Sequence, residues 1–431
     1  MAAASRGTDM ADMLEGQRIV VGVCGGIAAY KVADLVSKLR QAGADVDVVL
    51  TEHAERFVSA LTFSALSQRP VYTNLWEPTG EAAARHIELG HAADLLLIAP
   101  ATANTIARLA HGLADDMLTT IALATTAPLL IAPAMESQMY RHPATQANLG
   151  LLAERGATII EPESGRLASG ETGQGRLPET PTLLAHIRRT LGRATGDLVG
   201  RRVVVTAGGT RESIDPVRYI GNHSSGLMGF ALAEEARDRG ADTLVIAGAV
   251  SAPIPLGVEV IRVETSLELR DATLAAISDA DALVMAAAVA DYRVEQPAQH
   301  KIKKGSAEEN SDGSLTLRLT QNPDILADVR DMAETRGLTG LTRVGFAAET
   351  NDVERNAASK LRRKGLHLLV ANDVSRVDSG FSVATNQVSL FYADGRVEHL
   401  PLMPKTEVAR IIWDRLAPML GERRAHEPQH G

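Results

Sequence analysis

Arg18-Ile19-Val20-Val21-Gly22-Val23-Cys24-Gly25-Gly26-Ile27-Ala28-Ala29-Tyr30-Lys31 and Arg202-Val203-Val204-Val205-Thr206-Ala207-Gly208-Gly209-Thr210 are built alike. Each is an apolar, β-branched run that ends in paired glycines. In the second, the polar loop Gly221-Asn222-His223-Ser224-Ser225-Gly226 then leads into a helix. Glycines after a strand let backbone N–H groups approach an anion at a helix N-terminus. Two such openings predict two α/β halves, each with its own ligand site.

Outward from each opening the same plan repeats. Ile19–Val23 leads to a helix with Ala28, Val32, Leu35, Val36 and Leu39 on one face, the spacing of an amphipathic helix. Gly43 ends it, and strands follow at 46–50, 95–99, 129–132 and 158–160. Helices are expected over 54–67, 105–111, 115–125 and 136–155. The second half has a helix over 226–239, stopped by Gly240, and strands at 243–247, 282–286, 343–346, 367–370 and 388–392. Gly240-Ala241-Asp242 echoes Gly43-Ala44-Asp45. The expected class is α/β: two doubly wound domains with parallel sheets, an N-terminal flavodoxin-like domain at 18–191 and a C-terminal Rossmann-like domain at 201–420. Residues 192–200 have linker composition; 1–17 and 421–431 are expected as disordered tails, and Ser306–Gly313 as a polar excursion.

Bulk composition narrows the function class. A chain of 431 residues exceeds one ordinary core. Aromatics make up 3% and the net charge is −9, which disfavours a nucleic-acid partner. The single cysteine, Cys24, excludes an internal disulfide framework and fits a reducing cytoplasm. The apolar runs are too short to span a membrane, and residues 1–17 lack a secretory h-region.

The first glycine loop lacks the GxGxxG spacing, and Thr51, not an acid, follows the second strand. A mononucleotide such as FMN fits that loop better than NAD. Ala99-Pro100-Ala101-Thr102 and Ala132-Pro133-Ala134-Met135 each end a strand with a bend. His86 precedes one of those strands; it is a candidate base or orienting group, and its five-residue spacing from His91 makes a poor metal pair. In the second half, Asp291 closes the run Ala286-Ala287-Ala288-Val289-Ala290. Lys301-Ile302-Lys303-Lys304 concentrates positive charge, and Lys360 and Lys364 share a helical face suited to a triphosphate.

Gly25 through Lys31, His86-Ile87-Glu88-Leu89, Ala99 through Thr102, and Pro133-Ala134-Met135 with Met139-Tyr140 resemble the phosphopantothenoylcysteine decarboxylase flavoproteins. The resemblance implies bound FMN held by Gly25, Gly26, Ile27, Thr51, Pro100, Ala101 and Thr102. It places Met135, Glu136 and Met139 at the substrate and gives His86 and Ser169 catalytic roles. Two positions depart from that family. Glu136 stands where an Asn usually binds the substrate carboxylate, and Ser169 stands where the flap carries a Cys. A charged Glu136 repels a carboxylate unless it is protonated or turned away.

Thr206 through Gly229 and the segments after it are similar to phosphopantothenate–cysteine ligases of the CTP-using bacterial type. That similarity implies CTP contacts at Ala286, Ala287, Asp291, Lys301, Gln321, Asn322, Pro323, Phe346, Lys360 and Lys364, with Asn222 and Lys301 catalytic. It also implies Mg²⁺ on the triphosphate, and phosphopantothenate and cysteine as substrates. The order of halves is that of bacterial bifunctional coenzyme A biosynthesis proteins, for which trimeric flavoprotein and dimeric ligase contacts build a dodecamer. The alternatives are a flavin-binding regulator, a flavin prenyltransferase, and a ligase whose flavoprotein half is impaired.

Overall fold

The computed structural model describes residues 13–76, 85–168, 170–303, 314–349, 353–373 and 383–421. Ser169, Ser306–Gly313, residues 1–12 and the segment after Gly421 lie outside the described residues. The chain divides into two compact units, 1–194 and 195–431.

In the first unit the strands are β1 (Arg18–Val23), β2 (Asp45–Leu50), β3 (Val71–Tyr72), β4 (Leu95–Ala101), β5 (Leu129–Pro133) and β6 (Thr158–Ile159). They form one parallel sheet in the order β3-β2-β1-β4-β5-β6. Among doubly wound folds this is the dinucleotide-binding order, which refines the flavodoxin-like expectation, since flavodoxin runs 2-1-3-4-5. Between them run α1 (Ala29–Gln41), α2 (Ala60–Ser67), α3 (Arg85–Ala92), α4 (Ala103–His111), α5 (Met117–Ala124), α6 (Ser137–Arg141) and α7 (Pro143–Glu154). Alternate residues of β1 enter different cores: Ile19, Val21 and Val23 pack under α1, while Val20 packs on the opposite face. A strand covered on both faces must be apolar throughout, which explains the unbroken Ile19–Val21 run. Each such buried side chain contributes roughly 1.5–3 kcal/mol.

Three expectations change here. The helix expected over 136–155 is two, because Pro143 has no N–H to continue the ladder. His142 caps the second, its Nδ1 accepting from Ala144 N at 3.2 Å. The stretch 54–67 is a 3₁₀ turn followed by α2, which Ser59 caps. Residues 13–17 are not a free tail: Leu14 is fully buried and Gly16 N donates to Gly43 O. Beyond the sheet, β7 (Glu163–Arg166) and β8 (Thr172–Arg176) pair as an antiparallel hairpin, and α8 (Thr180–Thr195) runs into the expected linker.

The second unit contains β9 (Arg202–Ala207), β10 (Arg211–Ser213), β11 (Tyr219–Gly221), α9 (Leu227–Asp238), β12 (Asp242–Ala247), β13 (Glu259–Arg262), α10 (Ser266–Ala276), β14 (Ala282–Met285), β15 (Tyr292–Val294), β16 (Leu319–Gln321) and α11 (Ile325–Thr335). It continues with β17 (Thr342–Glu349), α12 (Val353–Lys364), β18 (Leu368–Asp373), β19 (Thr385–Asn386), β20 (Val388–Tyr392), β21 (Val397–His399), β22 (Met403–Pro404) and α13 (Lys405–Leu416). The main sheet runs β13-β12-β9-β14-β17-β18-β20-β21. Its strands are parallel up to β18, but β20 and β21 are antiparallel, which corrects the all-parallel expectation. A tight turn joins those two, with Gly395 at φ +91° and its N–H on Tyr392 O; so short a connection reverses the chain. Trp413, fully buried on α13, donates from Nε1 to Leu232 O on α9 at 2.8 Å.

Candidate functional site

In the first unit the site elements meet at the C-terminal edge of the sheet. Cys24 N donates to Pro100 O at 3.2 Å, tying the glycine loop to the end of β4. Thr51 N donates to Val23 O, which brings the end of β2 beside it. A Cβ on Gly25 would lie 2.3 Å from His53 Cβ, so only glycine fits there; around Gly26 the space is open. The N–H groups of Gly25, Ile27 and Ala28 take no partner among the described residues, so this cradle fits a phosphate-bearing group such as FMN. Burial pushes the Cys24 thiol up to about 11, so it stays protonated and is not a nucleophile.

Thr102 caps α4, its Oγ1 accepting from Thr105 N. One strand over, Ala134 N donates to Ala101 O, and Met135 N donates to Gly175 O on the β7–β8 hairpin. Ser137 Oγ donates to Gln174 O at 2.8 Å. A Cβ on Gly175 would lie 2.1 Å from Met135 O, so the hairpin's glycines serve close approach to this strand end. Glu136 is turned to cap α6: its Oε2 accepts from Gln138 N at 2.7 Å and Met139 N at 3.3 Å. Its Oε1 is buried without a hydrogen-bond partner. His86 lies in the first turn of α3.

In the second unit a cavity of about 510 Å³ opens at the strand C-termini. The residues singled out in the sequence fall differently around it. Ala286, Ala287, Asp291, Asn322, Pro323, Phe346, Lys360, Lys364 and Asn222 line it; Lys301 and Gln321 do not. Gln321 sits on β16 opposite Tyr292, and Lys301 is exposed beyond β15. The β14 loop is laced to the β9 loop: Ala287 N donates to Thr206 Oγ1, Ala290 N to Thr210 Oγ1, and Ala288 N to Gly208 O. Asn222 Nδ2 donates to Val289 O, and the buried Asn322 donates to Ala290 O. Leu227, Met228 and Gly229, the first turn of α9, also line the cavity, and Leu227 N donates to Ser225 Oγ at 3.4 Å. Gly226 opens that helix at φ +81°, and a Cβ there would meet Val250 at 2.6 Å.

Lys364 pairs with Asp324 at 3.1 Å, so an anion entering near α12 has to exchange with that carboxylate. Among the described residues no group of three or more His, Cys, Asp or Glu side chains is arranged for a metal. Sequence reasoning missed Lys405 and Asn386, which also line the cavity. Lys405 opens α13 and is only 5% exposed; burial holds its ammonium below the ordinary lysine range. Pairing of β19 with β22 brings these two residues together, and no local spacing announces it.

Two family descriptions match the chain: "Flavoprotein" over residues 8–192, and "DNA/pantothenate metabolism flavoprotein C-terminal domain" over 198–419. It is 47% identical over 399 residues to the coenzyme A biosynthesis bifunctional protein CoaBC of Vibrio cholerae, covering 93% of this chain and 97% of that one. The Escherichia coli K12 protein of the same description is 45% identical, with 95% and 99% covered, and that of Bacillus subtilis 44%, with 94% and 98%. Among solved structures, the C-terminal domain of a CoaBC shares 35% identity at a TM-score of 0.44, covering 52% of this chain and 98% of that chain. A PPC decarboxylase mutant complexed with pantothenoylaminoethenethiol shares 34% identity at 0.37, covering 40% and 97%.

Proposed function

The chain belongs to the family of bifunctional coenzyme A biosynthesis proteins, with a phosphopantothenoylcysteine decarboxylase in its flavoprotein half and a phosphopantothenate–cysteine ligase in its C-terminal half. From that premise we propose how its residues divide the work. In the ligase half (201–420), the carboxylate of 4′-phosphopantothenate attacks the α-phosphate of CTP, the α–β bond breaks to release pyrophosphate, and cysteine's amine then displaces CMP from the acyl-cytidylate. Asp291 and Phe346 hold the cytidine; Lys360, Lys364 and Lys301 neutralise the phosphates, and Mg²⁺, when bound with the nucleotide, would add positive charge there. Ala286, Ala287, Asn322 and Pro323 complete the nucleotide contacts; Gln321, outside the cavity lining, is not given one. Asn222 holds the acyl group, and Lys301 assists the attack.

The product then passes to the flavoprotein half (18–191). FMN, when bound there, supplies two-electron redox chemistry at the cysteinyl thiol and so eases loss of CO₂. Gly25, Gly26, Ile27, Thr51, Pro100, Ala101 and Thr102 hold it. Met135 and Met139 position the substrate, His86 orients or deprotonates it, and Ser169 hydrogen-bonds from the flap. Glu136, spent on its helix cap, keeps one oxygen away from the substrate carboxylate.

The assembly is a homo-oligomer, a dodecamer of trimeric flavoprotein and dimeric ligase contacts, in the cytoplasm. Exposed Ile27, Tyr30 and Met139 beside the first site support association there. No helix among the described residues is long and apolar enough to cross a membrane.

The observation that carries this reading is the cavity in which Asn222, Asp291, Phe346 and the two lysines of α12 converge. The test supplies purified protein with 4′-phosphopantothenate, cysteine, CTP and Mg²⁺ and resolves products by mass. 4′-Phosphopantetheine is expected. Accumulation of phosphopantothenoylcysteine without CO₂ release removes the decarboxylation mechanism, and absence of any acyl-cytidylate or ligated product removes the role given to CTP.

A further inference from the structure

Lys301, the candidate cation of the ligase, stands outside the cavity wall on a segment that leaves the sheet after β15 and returns on β16. Two clamps hold this segment. At its neck, Asn322 N donates to Asp291 O at 2.8 Å, and Arg293 Nη1 donates to Gln321 O at 2.8 Å and Asn322 Oδ1 at 3.1 Å. The second clamp comes from the β10–β11 hairpin. There the Asp215 carboxylate, with no exposed side-chain surface, collects five donors. Its Oδ1 accepts from Val217 N at 2.8 Å and Arg218 N at 2.9 Å. Its Oδ2 accepts from Arg218 Nε at 3.0 Å and Nη2 at 2.6 Å, and from Ile302 N at 3.2 Å. Arg218 Nη2 also donates to Ile302 O at 3.2 Å, and Ala298 N donates to Ile214 O at 2.9 Å.

Both backbone polar groups of Ile302, the residue next to Lys301, are thus engaged by one ion pair. A carboxylate and a guanidinium that satisfy each other and still have bonds to give fix a backbone more firmly than a neutral turn does. The same hairpin ends in Gly221, immediately before Asn222, whose amide donates to Val289 O at the cavity wall. One hairpin therefore sets the position of two groups far apart in sequence, Asn222 and Lys301.

We propose that the Asp215–Arg218 pair is the positioning latch of the ligase, setting the reach of Lys301 toward the nucleotide cavity in register with Asn222. This rests on the catalytic reading of Lys301. Neither latch residue lines the cavity, so they act through the Ile302 backbone and not on the substrate.

The test is a double-mutant cycle in the full-length protein with Asp215→Asn, Lys301→Gln and both, reading ligation kcat and KM for CTP. Asp215→Asn keeps the side chain's shape but turns donors toward Arg218 and releases Ile302 N. The expected result is a fall in kcat of about 10- to 100-fold, the scale of a 1 Å misplacement, with KM for CTP changed less than about threefold. In the Lys301→Gln background the same substitution should cost no further activity. An equal penalty in both backgrounds, or a normal kcat for Asp215→Asn, overturns the latch. If Lys301→Gln itself ligates normally, the reading of Lys301 fails first and the latch with it, a result distinct from additivity. Should Asp215→Asn lose its circular dichroism, Arg218→Met, which leaves the Asp215 backbone contacts in place, runs the same cycle and is decided by the same outcomes.

Discussion

At the strand ends of the N-terminal unit, the anion-cradling loop opens onto apolar side chains left in solvent: Ile27 and Met139 are 61% and 51% exposed. At the matching edge of the C-terminal unit, Asn322 and Lys405 are 8% and 5% exposed and the groups line a cavity. The strand–glycine–helix device is the same in both. What differs is what has been added around it. The second unit recruits α12, the start of α13 and the turn at 322–324 as walls, whereas the first adds the β7–β8 hairpin, packed on the end of β5. A glycine loop presents N–H groups; enclosure has to come from elsewhere in the fold or from another copy of the chain.

The comparison breaks most readily at Lys301. Lys301→Gln should reduce ligation by about 10²- to 10³-fold, the scale of losing one transition-state charge contact, while the flavin absorbance spectrum stays unchanged. Trp413→Ala removes a fully buried ring and its bond to Leu232. It should destabilise the C-terminal unit by roughly 3–5 kcal/mol in denaturant melts followed by circular dichroism, with flavin fluorescence unmoved at the same denaturant concentration. Gly25→Ala does the reverse: a Cβ against His53 should strain the first loop by about 1–3 kcal/mol and weaken flavin retention on gel filtration, sparing ligation.

Smaller effects sharpen the contrast. Glu136→Asn keeps a helix-capping side chain and removes a negative charge near the proposed substrate carboxylate. KM for phosphopantothenoylcysteine should fall by up to about tenfold, equivalent to about 1.4 kcal/mol. The smallest effect concerns pH. Burial beside Arg343 holds His367 below its ordinary range, and its Nδ1 accepts from Arg343 N. The unfolded chain therefore binds a proton on acidification before the folded chain does. Stability of this unit should be fully present above the ordinary histidine range of about pH 6.5 and decline as the pH falls below it. His367→Gln should flatten that slope in melts on either side of this range.

The βαβ openings were legible because a strand buried on both faces must be continuously apolar, and Ile19–Val23 and Val203–Val205 have that pattern. The amphipathic face of α1 followed from 3.6-residue spacing. The short antiparallel pairs did not show, since β10, β11, β15 and β16 are three residues each and take their stability from tertiary contacts. The break at Pro143 was readable in principle, because a helix rarely continues through proline, and His142 could have been recognised as its cap. In the ligase cavity, Asp291 and the α12 lysines could be singled out by charge and spacing. Lys405 could not: a lysine opening an amphipathic helix looks like a surface residue until β22 pairs with β19 and turns it inward. Asp215 was likewise hidden, because its role depends on Ile302, which approaches only in three dimensions.

The central claim is that two chemically separate sites work in one chain. It is tested most directly by giving Lys301→Gln two substrates in turn and resolving the products by mass. With 4′-phosphopantothenate, cysteine and CTP, the account predicts little ligated product. With ready-made phosphopantothenoylcysteine, it predicts 4′-phosphopantetheine at the wild-type rate. Loss of both reactions in a folded, yellow variant would contradict it.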